Sequence, residues 1–455
     1  MASSRSSIRA DAVAPVERAV AQWAAALPAG SDPVAIALSG GRDSVVLLDA
    51  AAAALVERGR RAIAFHVHHG LQDAADAWPA FCAAAAAERG IDYAQRRVSV
   101  VRARRGSLEA SARDARYAAL RELAHEAGAR TIALAHHQDD QAETLLLQLG
   151  RGAGPPGLAA MPARHTDDAG VTWCRPLLGL PRAALASYAA ARQLRWVDDP
   201  SNADARHRRN AVRAFVAPAF AAALPGYPAT LARAASHQAD AAHLIDELAA
   251  QDARAAGYDA VGGTIASARL ATLAEPRARN LLRWFLDARG LAPPSAARLD
   301  AMLRQLAHAR VDATIALAHA GAVVGRHRGR VVVHGRAPGD YHASWHGEAA
   351  IALPHGELRF EPVDGGGVAA ARIAAGLAIR PRHGGERLQL ASGQARRALK
   401  SLLREAALPP WERDALPLVV CGEALVAVPG IGVDVAWRAA PGQAGWLPIW
   451  HALAP

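Results

Sequence analysis

The sequence predicts an α/β protein in three parts: an N-terminal domain on a doubly wound, mostly parallel sheet, a helical central domain, and a small α+β C-terminal domain. Three observations carry this. Between Val34 and about Val197, apolar strand-like runs alternate with helical periodicity, the rhythm of βαβ units. From Phe215 to His308 the pattern turns helical and alanine-rich. Beyond Gly347, short strand signals surround one clear helix, Gln394 to Ala406. The expected boundaries are 15–214, 215–335 and 348–455, with Gly335 to Gly347 as a linker. A chain of 455 residues is long enough for two or three cores.

The organising stretch is Val34 to Leu48. Val34-Ala35-Ile36-Ala37-Leu38 reads as a buried parallel strand. Ser39-Gly40-Gly41-Arg42-Asp43-Ser44 follows as a glycine turn that opens an apolar-periodic helix to Glu57, with Gly59 as its stop. Strand, turn and helix N-terminus together form an anion site. The common P-loop needs a Gly-Lys pair, and the only lysine here is Lys400. Phosphate binding therefore falls to backbone amides with Ser39, Ser44 and Arg42, and Asp43 suits a divalent cation.

Further strands are expected at Ala62–Val67, Tyr93–Val101 and Thr131–Ala135. A helix carrying Trp78, Phe81 and Cys82 follows the first of these. Ser107 is placed to cap a long helix through Glu109, Arg113, Arg116, Tyr117 and Leu120, ending at Gly128. The segments His66-Val67-His68-His69-Gly70-Leu71 and His136-His137-Gln138-Asp139-Asp140-Gln141-Ala142-Glu143-Thr144 each follow a strand. They should meet the Ser39–Ser44 turn in one crevice at the carboxyl ends. On the helix after His137, Ala142, Leu145, Leu146 and Leu149 read as the buried stripe, with Asp139 and Glu143 on a face beside it. Acids in a first turn also compensate the helix dipole, but the paired histidines and Glu143 point to metal coordination or acid–base work.

Downstream, Arg151–Leu158 reads as a glycine–proline loop, and Trp173–Leu178 leads into a helix near Pro181. Asp198–Asn202 is a turn, followed by the basic run Arg206–Arg213. That run fits a solvated helix start and a phosphate contact equally. In the central part, Pro225 and Pro228 interrupt helices, while Glu275–Ala288 and Ser295–Ala307 are amphipathic. A hairpin is expected from Thr314–Val324 and Arg330–His334. On the C-terminal helix, Leu399, Leu402, Leu403 and Ala406 face inward and Arg397, Lys400 and Arg404 outward. With Arg380–Leu388 and Pro409–Arg413 nearby, this stripe and Trp411 read either as an RNA surface or as a solvated face with Trp411 in the core.

The net charge of +10 favours a polyanionic partner, although an alanine- and arginine-rich composition shifts charge without regard to function. No apolar run approaches the roughly 20 residues of a membrane span. Cys82, Cys174 and Cys421 are scattered, which speaks against a disulfide framework, a zinc finger or an iron–sulfur cluster and suits a reducing cytoplasm. Met1–Pro15 lacks the apolar core of a secretory signal, and an organelle-targeting segment stays open there.

Ser39–Ser44 resembles the PP-loop of the N-type ATP pyrophosphatases, which cleave ATP between the α and β phosphates. Within that superfamily, His66–Leu71, Glu109–Tyr117, His136–Thr144, Arg151–Leu158 with Met161, and Asp199–Asn202 with Arg209, Asn210 and Arg213 resemble the tRNA(Ile)-lysidine synthetase family. Arg382–Leu388 and Leu399–Arg413 are similar to that family's terminal domain.

The resemblance implies an adenine-nucleotide α-hydrolase-like fold and a ligase forming a carbon–nitrogen bond. ATP, with Mg²⁺, adenylates the C2 oxygen of the wobble cytidine of an isoleucine tRNA with a CAU anticodon. Free L-lysine then displaces AMP. It implies ATP binding by Ser39, Gly40, Gly41, Arg42, Asp43, Ser44 and His66, with Asp43 as metal ligand. It implies catalysis by Asp43, His136, Asp139, Asp140, Glu143 and Arg209. RNA contacts fall to Arg113, Arg116, Arg382, Arg397, Lys400, Trp411 and Arg413, in a cytoplasmic enzyme of a family that often dimerises. Competing readings are a PP-loop cytidine thiolase, a two-metal hydrolase using the histidines with Asp139 and Asp140, and a plain RNA-binding protein.

Overall fold

The computed structural model describes residues 2–68, 77–98, 108–200, 204–259, 262–308, 310 and 315–453. The features expected at His69, Gly70, Leu71, Ser107, Ser201, Asn202, Thr314, the far end of Tyr93–Val101 and the Glu109 side chain lie outside them. The chain divides into two units, Met1–Leu244 and Ile245–Pro455.

In the first unit the elements run α1 (Ala2–Ala25), β1 (Val34–Ala37), α2 (Arg42–Val56), β2 (Ala62–His68), α3 (Trp78–Ala87), β3 (Asp92–Arg97), α4 (Leu108–Ala127), β4 (Thr131–Ala133), α5 (Gln138–Leu149), the single turn α6 (Pro155–Leu158), β5 (Arg164–Thr166), β6 (Thr172–Cys174), α7 (Arg182–Ala191), α8 (Arg208–Ala211), a π-helical turn at Val212–Val216, α9 (Ala217–Ala223) and α10 (Tyr227–Ala255), whose C-terminal end enters the second unit. The strands order as β3-β2-β1-β4-β6-β5. All pairs are parallel except β5–β6.

Alternation along the strands explains why helices cover both faces. Val34, Ile36, Leu38, Ala64 and Ala133 pack with α1, α2, α3 and α7. Ala35, Ile63, Phe65, Ile132 and Trp173 face the other way onto Leu120, Leu123 and Ala124 of α4. Leu47, Leu48 and Leu55 of α2 are fully buried, each worth about 1.5–3 kcal/mol over an exposed side chain. The chain runs outward through β2 and β3, then returns past β1 to β4. This puts a topological switch point between β1 and β4, where such sheets bind ligands.

Several local expectations are corrected. Helix α1 was not foreseen. Its Val16, Val20 and Ala24 are buried, at helical spacing that Pro15 disguises. On α5 the buried face holds Asp140, Gln141 and Glu143 beside Ala142 and Leu145, while Leu149 is exposed. The Gln141 amide exchanges two 2.8 Å hydrogen bonds with the Met161 backbone, so a polar residue takes a core position. Pro228 does not interrupt a helix but sits in the first turn of α10, where its missing N–H costs nothing.

The second unit begins with β7 (Ile265–Ala266), α11 (Ser267–Thr272), α12 (Glu275–Ala288), α13 (Ala296–His308), β8 (Ile315–His319), β9 (Ala322–His327) and β10 (Arg330–Gly335). The expected hairpin is a meander. Ala320 and Gly321 take φ +47° and +87°, and Arg328 and Gly329 +48° and +75°, so a two-residue turn ends β8 as well as β9. The rest comprises β11 (Ala343–Trp345), β12 (Ala350–Leu353), β13 (Gly356–Asp364), β14 (Val368–Ala369), β15 (Leu377–Arg380), β16 (Arg387–Leu388), β17 (Arg397–Ala398), α14 (Leu399–Glu405), α15 (Pro410–Ala415), β18 (Leu418–Cys421), β19 (Ala424–Val428), β20 (Gly432–Val433) and β21 (Ala444–Ala452).

The segment read as a linker contains β11, which pairs with β15. Its Trp345 is fully buried and stacks on Phe360 at 3.8 Å. The helix expected from Gln394 starts only at Leu399, because Arg397 and Ala398 pair with β16. Arg397 therefore does not belong to a helical stripe, and Ala406 is exposed. Among the described residues, no single helix is long and apolar enough to cross a membrane.

Candidate active site at the β1–β4 crevice

A cavity of about 720 Å³ opens in the first unit and is lined by the Ser39–Ser44 turn, His66, His68, Arg116, His136 and the 196–199 segment among others. The turn is shaped by its own hydroxyls. Ser44 Oγ donates to the Gly41 carbonyl at 2.8 Å, accepts from the Ser39 amide at 3.2 Å and lies 3.1 Å from Ser39 Oγ. Gly40 is required twice over: its φ is +89°, and a Cβ would sit 3.3 Å from the buried Cys82 Sγ. The Val197 amide donates to the Gly40 carbonyl at 2.9 Å, tying the 196–199 segment to the turn. His66 is buried, with Nδ1 2.9 Å from the Leu38 carbonyl. That contact makes Nδ1–H the donor and leaves Nε2 an acceptor. Burial, aided by His68, holds its pKa below the ordinary histidine value despite the Leu38 hydrogen bond.

Asp43, at the start of α2, bonds to Arg42 Nε at 3.1 Å and lies 3.5 Å from Nε2 of the buried His137. Burial pushes the Asp43 pKa up, but His137 and Arg42 outweigh it and hold the carboxyl below the usual range. His137 Nε2 also lies 3.6 Å from Asp140 Oδ2, so one imidazole joins the turn to α5. His136 behaves differently. Burial, reinforced by Arg175, Arg209 and Arg116 and opposed by Asp140, brings its pKa down to about 3. That direction favours the neutral imidazole at physiological pH, and its Nδ1 is buried without a partner.

The acids of α5 are already engaged. Asp140 Oδ1 accepts from Arg209 Nη2 at 2.9 Å and Arg213 Nη2 at 3.0 Å, and its Oδ2 from the His137 amide at 3.0 Å. Burial raises the Asp140 pKa, but His137, Arg209 and His136 prevail and lower it. Glu143, only 3 % exposed, holds Arg209 Nε at 2.8 Å, Arg213 Nε at 2.5 Å and Arg182 Nη2 at 3.4 Å. Asp139 accepts the Arg182 amide at 2.8 Å and so anchors the start of α7. Of the expected catalytic residues, all six stand at this crevice or on the α5–α8 network bordering it. Reading the sequence missed Arg182, Arg213 as a site member, and Tyr227. Burial first, then Asp139 and Glu143, raise the Tyr227 phenol. Only the basic run at Arg206–Arg213 signalled this partnership.

On α4, Arg113 is exposed and reaches Tyr117 Oη at 3.4 Å, while Arg116 is half-buried against the same ring. The second unit holds the other expected contacts. Arg382 lies 3.6 Å from Asp414, and Arg397 pairs with Glu405. Lys400 is exposed on α14, and Arg413 Nε donates to the Leu408 carbonyl at 2.6 Å. Trp411 is half-buried, stacked on His334 at 4.6 Å with His327 at its edge at 5.3 Å. It is thus already paired with aromatic neighbours.

Comparison with known proteins bears on this arrangement. The PP-loop domain family matches residues 14–220, the TilS substrate binding domain 266–332 and the TilS substrate C-terminal domain 377–450. The tRNA(Ile)-lysidine synthase of Ralstonia nicotianae is 43 % identical over 456 aligned residues, covering 94 % of this chain and 97 % of the relative. Those of Burkholderia pseudomallei and Chromobacterium violaceum are each 42 % identical and cover 92 % of this chain and 92 % and 95 % of their own. Similarity of this extent, with a PP-loop turn, a histidine–acid helix and all three family domains in order, shows that the chain belongs to the tRNA(Ile)-lysidine synthase family.

Proposed function

We propose that this enzyme joins free L-lysine to the wobble cytidine of an isoleucine tRNA with a CAU anticodon, at the cost of ATP, leaving lysidine, AMP and pyrophosphate. The observation that carries this is the convergence of the Ser39–Ser44 turn and the neutral His136 on one cavity. In the first step the cytidine C2 oxygen attacks the α-phosphorus and the bond to pyrophosphate breaks. Backbone amides of the turn, Ser39 and Ser44 hold the phosphates and stabilise the departing charge, with Arg42 flanking them and His66 bordering the nucleotide. His136 donates a hydrogen bond to the activated oxygen.

Asp43 would hold Mg²⁺. Its carboxylate is one-third exposed and stands at the phosphate turn, and one carboxylate plus phosphate oxygens is a common magnesium complement. When bound, the ion supplies charge neutralisation on the phosphates. Among the described residues, no group of three or more His, Cys, Asp or Glu could hold a metal, which disfavours the two-metal hydrolase.

In the second step the lysine ε-amine attacks C2, the C2–oxygen bond breaks and AMP leaves. Asp139 and Glu143 attract the ammonium and accept its proton. Glu143 becomes available when Arg213 or Arg182 yields, and Arg209, released likewise, turns to phosphate. Arg113, Arg116, Arg382, Arg397, Lys400, Trp411 and Arg413 contact the tRNA, in a catalytic domain, a central domain of helices with the β7–β10 sheet, and a C-terminal domain that begins with β11, in a cytoplasmic, dimer-forming protein. The test is incubation with ATP, labelled lysine and unmodified isoleucine tRNA. Label in the RNA with stoichiometric AMP is expected. A product carrying no lysine refutes the reading.

A further inference from the structure

Two arginines beside the crevice lack the compensation that its other cations have. Arg209 and Arg213 sit on Asp140 and Glu143, and Arg182 on Glu143. Arg175 is buried, yet its guanidinium donates from Nη1 to the Pro162 carbonyl at 2.7 Å, and its Nε has no partner. Arg116 is half-buried on α4 at the cavity wall, with its guanidinium 5.8 Å from the Tyr117 ring centre. Neither has a carboxylate partner among the described residues. Arg116, Arg175 and Arg209 all lower the pKa of His136, so positive charge is concentrated around that wall of the cavity. Desolvated cations of one sign are costly unless an anion joins them.

We propose that Arg116 receives a backbone phosphodiester of the RNA substrate, the one flanking the base held at His136, with Arg175 adding charge behind it. This is a second anion site, separate from the turn that takes the ATP phosphates, and it rests on the reading of the chain as a tRNA-modifying enzyme. Two features favour a polymer phosphate over a nucleotide one. The Ser39–Ser44 turn already supplies a phosphate cradle on a different wall, from β1 and α2. Arg116 also continues outward through Tyr117 to the exposed Arg113, whose guanidinium lies 5.3 Å from the same ring. That makes a cationic track from solvent to the cavity, which a strand can follow and a mononucleotide does not need. Tyr117 is itself fixed against Trp173 at 4.7 Å, so the track is preorganised. A planar guanidinium grips a phosphodiester through two hydrogen bonds where an ammonium offers a point charge.

The experiment uses the full chain with unmodified isoleucine tRNA and a series of anticodon stem-loops, each carrying one uncharged methylphosphonate linkage. In wild type, one linkage next to the target cytidine should weaken binding more than its neighbours. Arg116→Ala should raise the tRNA Kd by roughly ten- to a hundredfold and lower the salt slope of log K by about one. It should leave the ATP Kd within about twofold and abolish the extra loss at that linkage. Arg116→Lys should recover the salt slope but not the full affinity. An even methylphosphonate profile in wild type overturns the proposal without any variant. So does an Arg116→Ala variant whose ATP Kd rises as far as its tRNA Kd. Lysine incorporation by wild type separates the two hypotheses: absent label sinks the functional reading, whereas normal label with an even profile sinks only the phosphate contact.

Discussion

The Ser39–Ser44 turn and the Asp140–Glu143 network serve one crevice but are built on opposite principles. The turn is six consecutive residues whose shape comes from backbone angles and two hydroxyls. The network is made mostly of side chains, and its cations come from residues 39 to 73 positions away. The turn commits the Ser39 and Gly41 amides to its own hydroxyls and leaves the first-turn amides of α2 to a ligand, whereas the network's charges are already matched within the protein. A group that awaits a ligand is preorganised and its removal affects chemistry. A group that is already paired holds the site together, so its removal affects both chemistry and stability. The contrast can be tested directly.

The largest effect is expected at the turn. Asp43→Ala should lower AMP formation by roughly 10²- to 10³-fold, read by single-turnover AMP release, and should lower the melting temperature less than the loss of a buried network carboxylate does. Near-normal turnover would remove Asp43 from the mechanism. Next comes Glu143→Gln. It leaves Arg209 and Arg213 partly uncompensated in a buried setting, which costs about 3 kcal/mol, and it should also raise the lysine KM. A variant with unchanged melting and unchanged lysine dependence contradicts both halves of the comparison.

A smaller effect concerns pH. The folded pKa of His136 is about 3, below the unfolded value of about 6.5. The unfolded chain therefore binds the proton first, and stability falls as pH drops from about 6.5 toward 3. His136→Asn should flatten the decline of the urea midpoint between pH 7 and 5, and an unchanged slope argues against a neutral buried imidazole. Asp43 and Asp140, held low, act at the acid end. Their contribution is present above about 3.9 and is lost as pH falls through their folded values. The smallest effect belongs to Lys400→Ala. The exposed ammonium should be worth a few-fold in tRNA affinity and about one unit of salt slope, with ATP binding unchanged. An unaltered tRNA Kd makes it an ordinary surface lysine.

What was legible in the sequence follows the same division. The parallel core could be read because β1, β2 and β4 are apolar on both faces, and the turn because its six residues are contiguous. The histidine–acid helix could be located but not its partners, since nothing near Glu143 in sequence names Arg213 or Arg182. Asp139 read as an acid of the site, but its bond to the Arg182 amide at the start of α7, 43 residues away, could not be read from the sequence. Outside the site, the misreadings came from local pattern without tertiary context. Arg397 and Ala398 have helical neighbours but are captured by β16. Trp345 sits in a glycine-flanked stretch but is drawn into the C-terminal core. Helix α1 has buried valines at the right spacing, hidden by polar residues before Pro15.

The pairing of α5 with α8 also bears on where this protein can be cut. The sheet and its covering helices are finished by Ala191, and a fragment ending there would retain its apolar core. It would nevertheless leave Asp140 and Glu143 without the Arg209 and Arg213 guanidiniums, with only Arg182 on Glu143 and the His137 amide on Asp140 to meet them, and such undercompensated carboxylates destabilise strongly. The shortest self-sufficient piece is therefore set by charge balance rather than by secondary structure, and it extends past Arg213. A truncation series stepping from Ala191 to Val216 should recover cooperative unfolding only once both arginines are included.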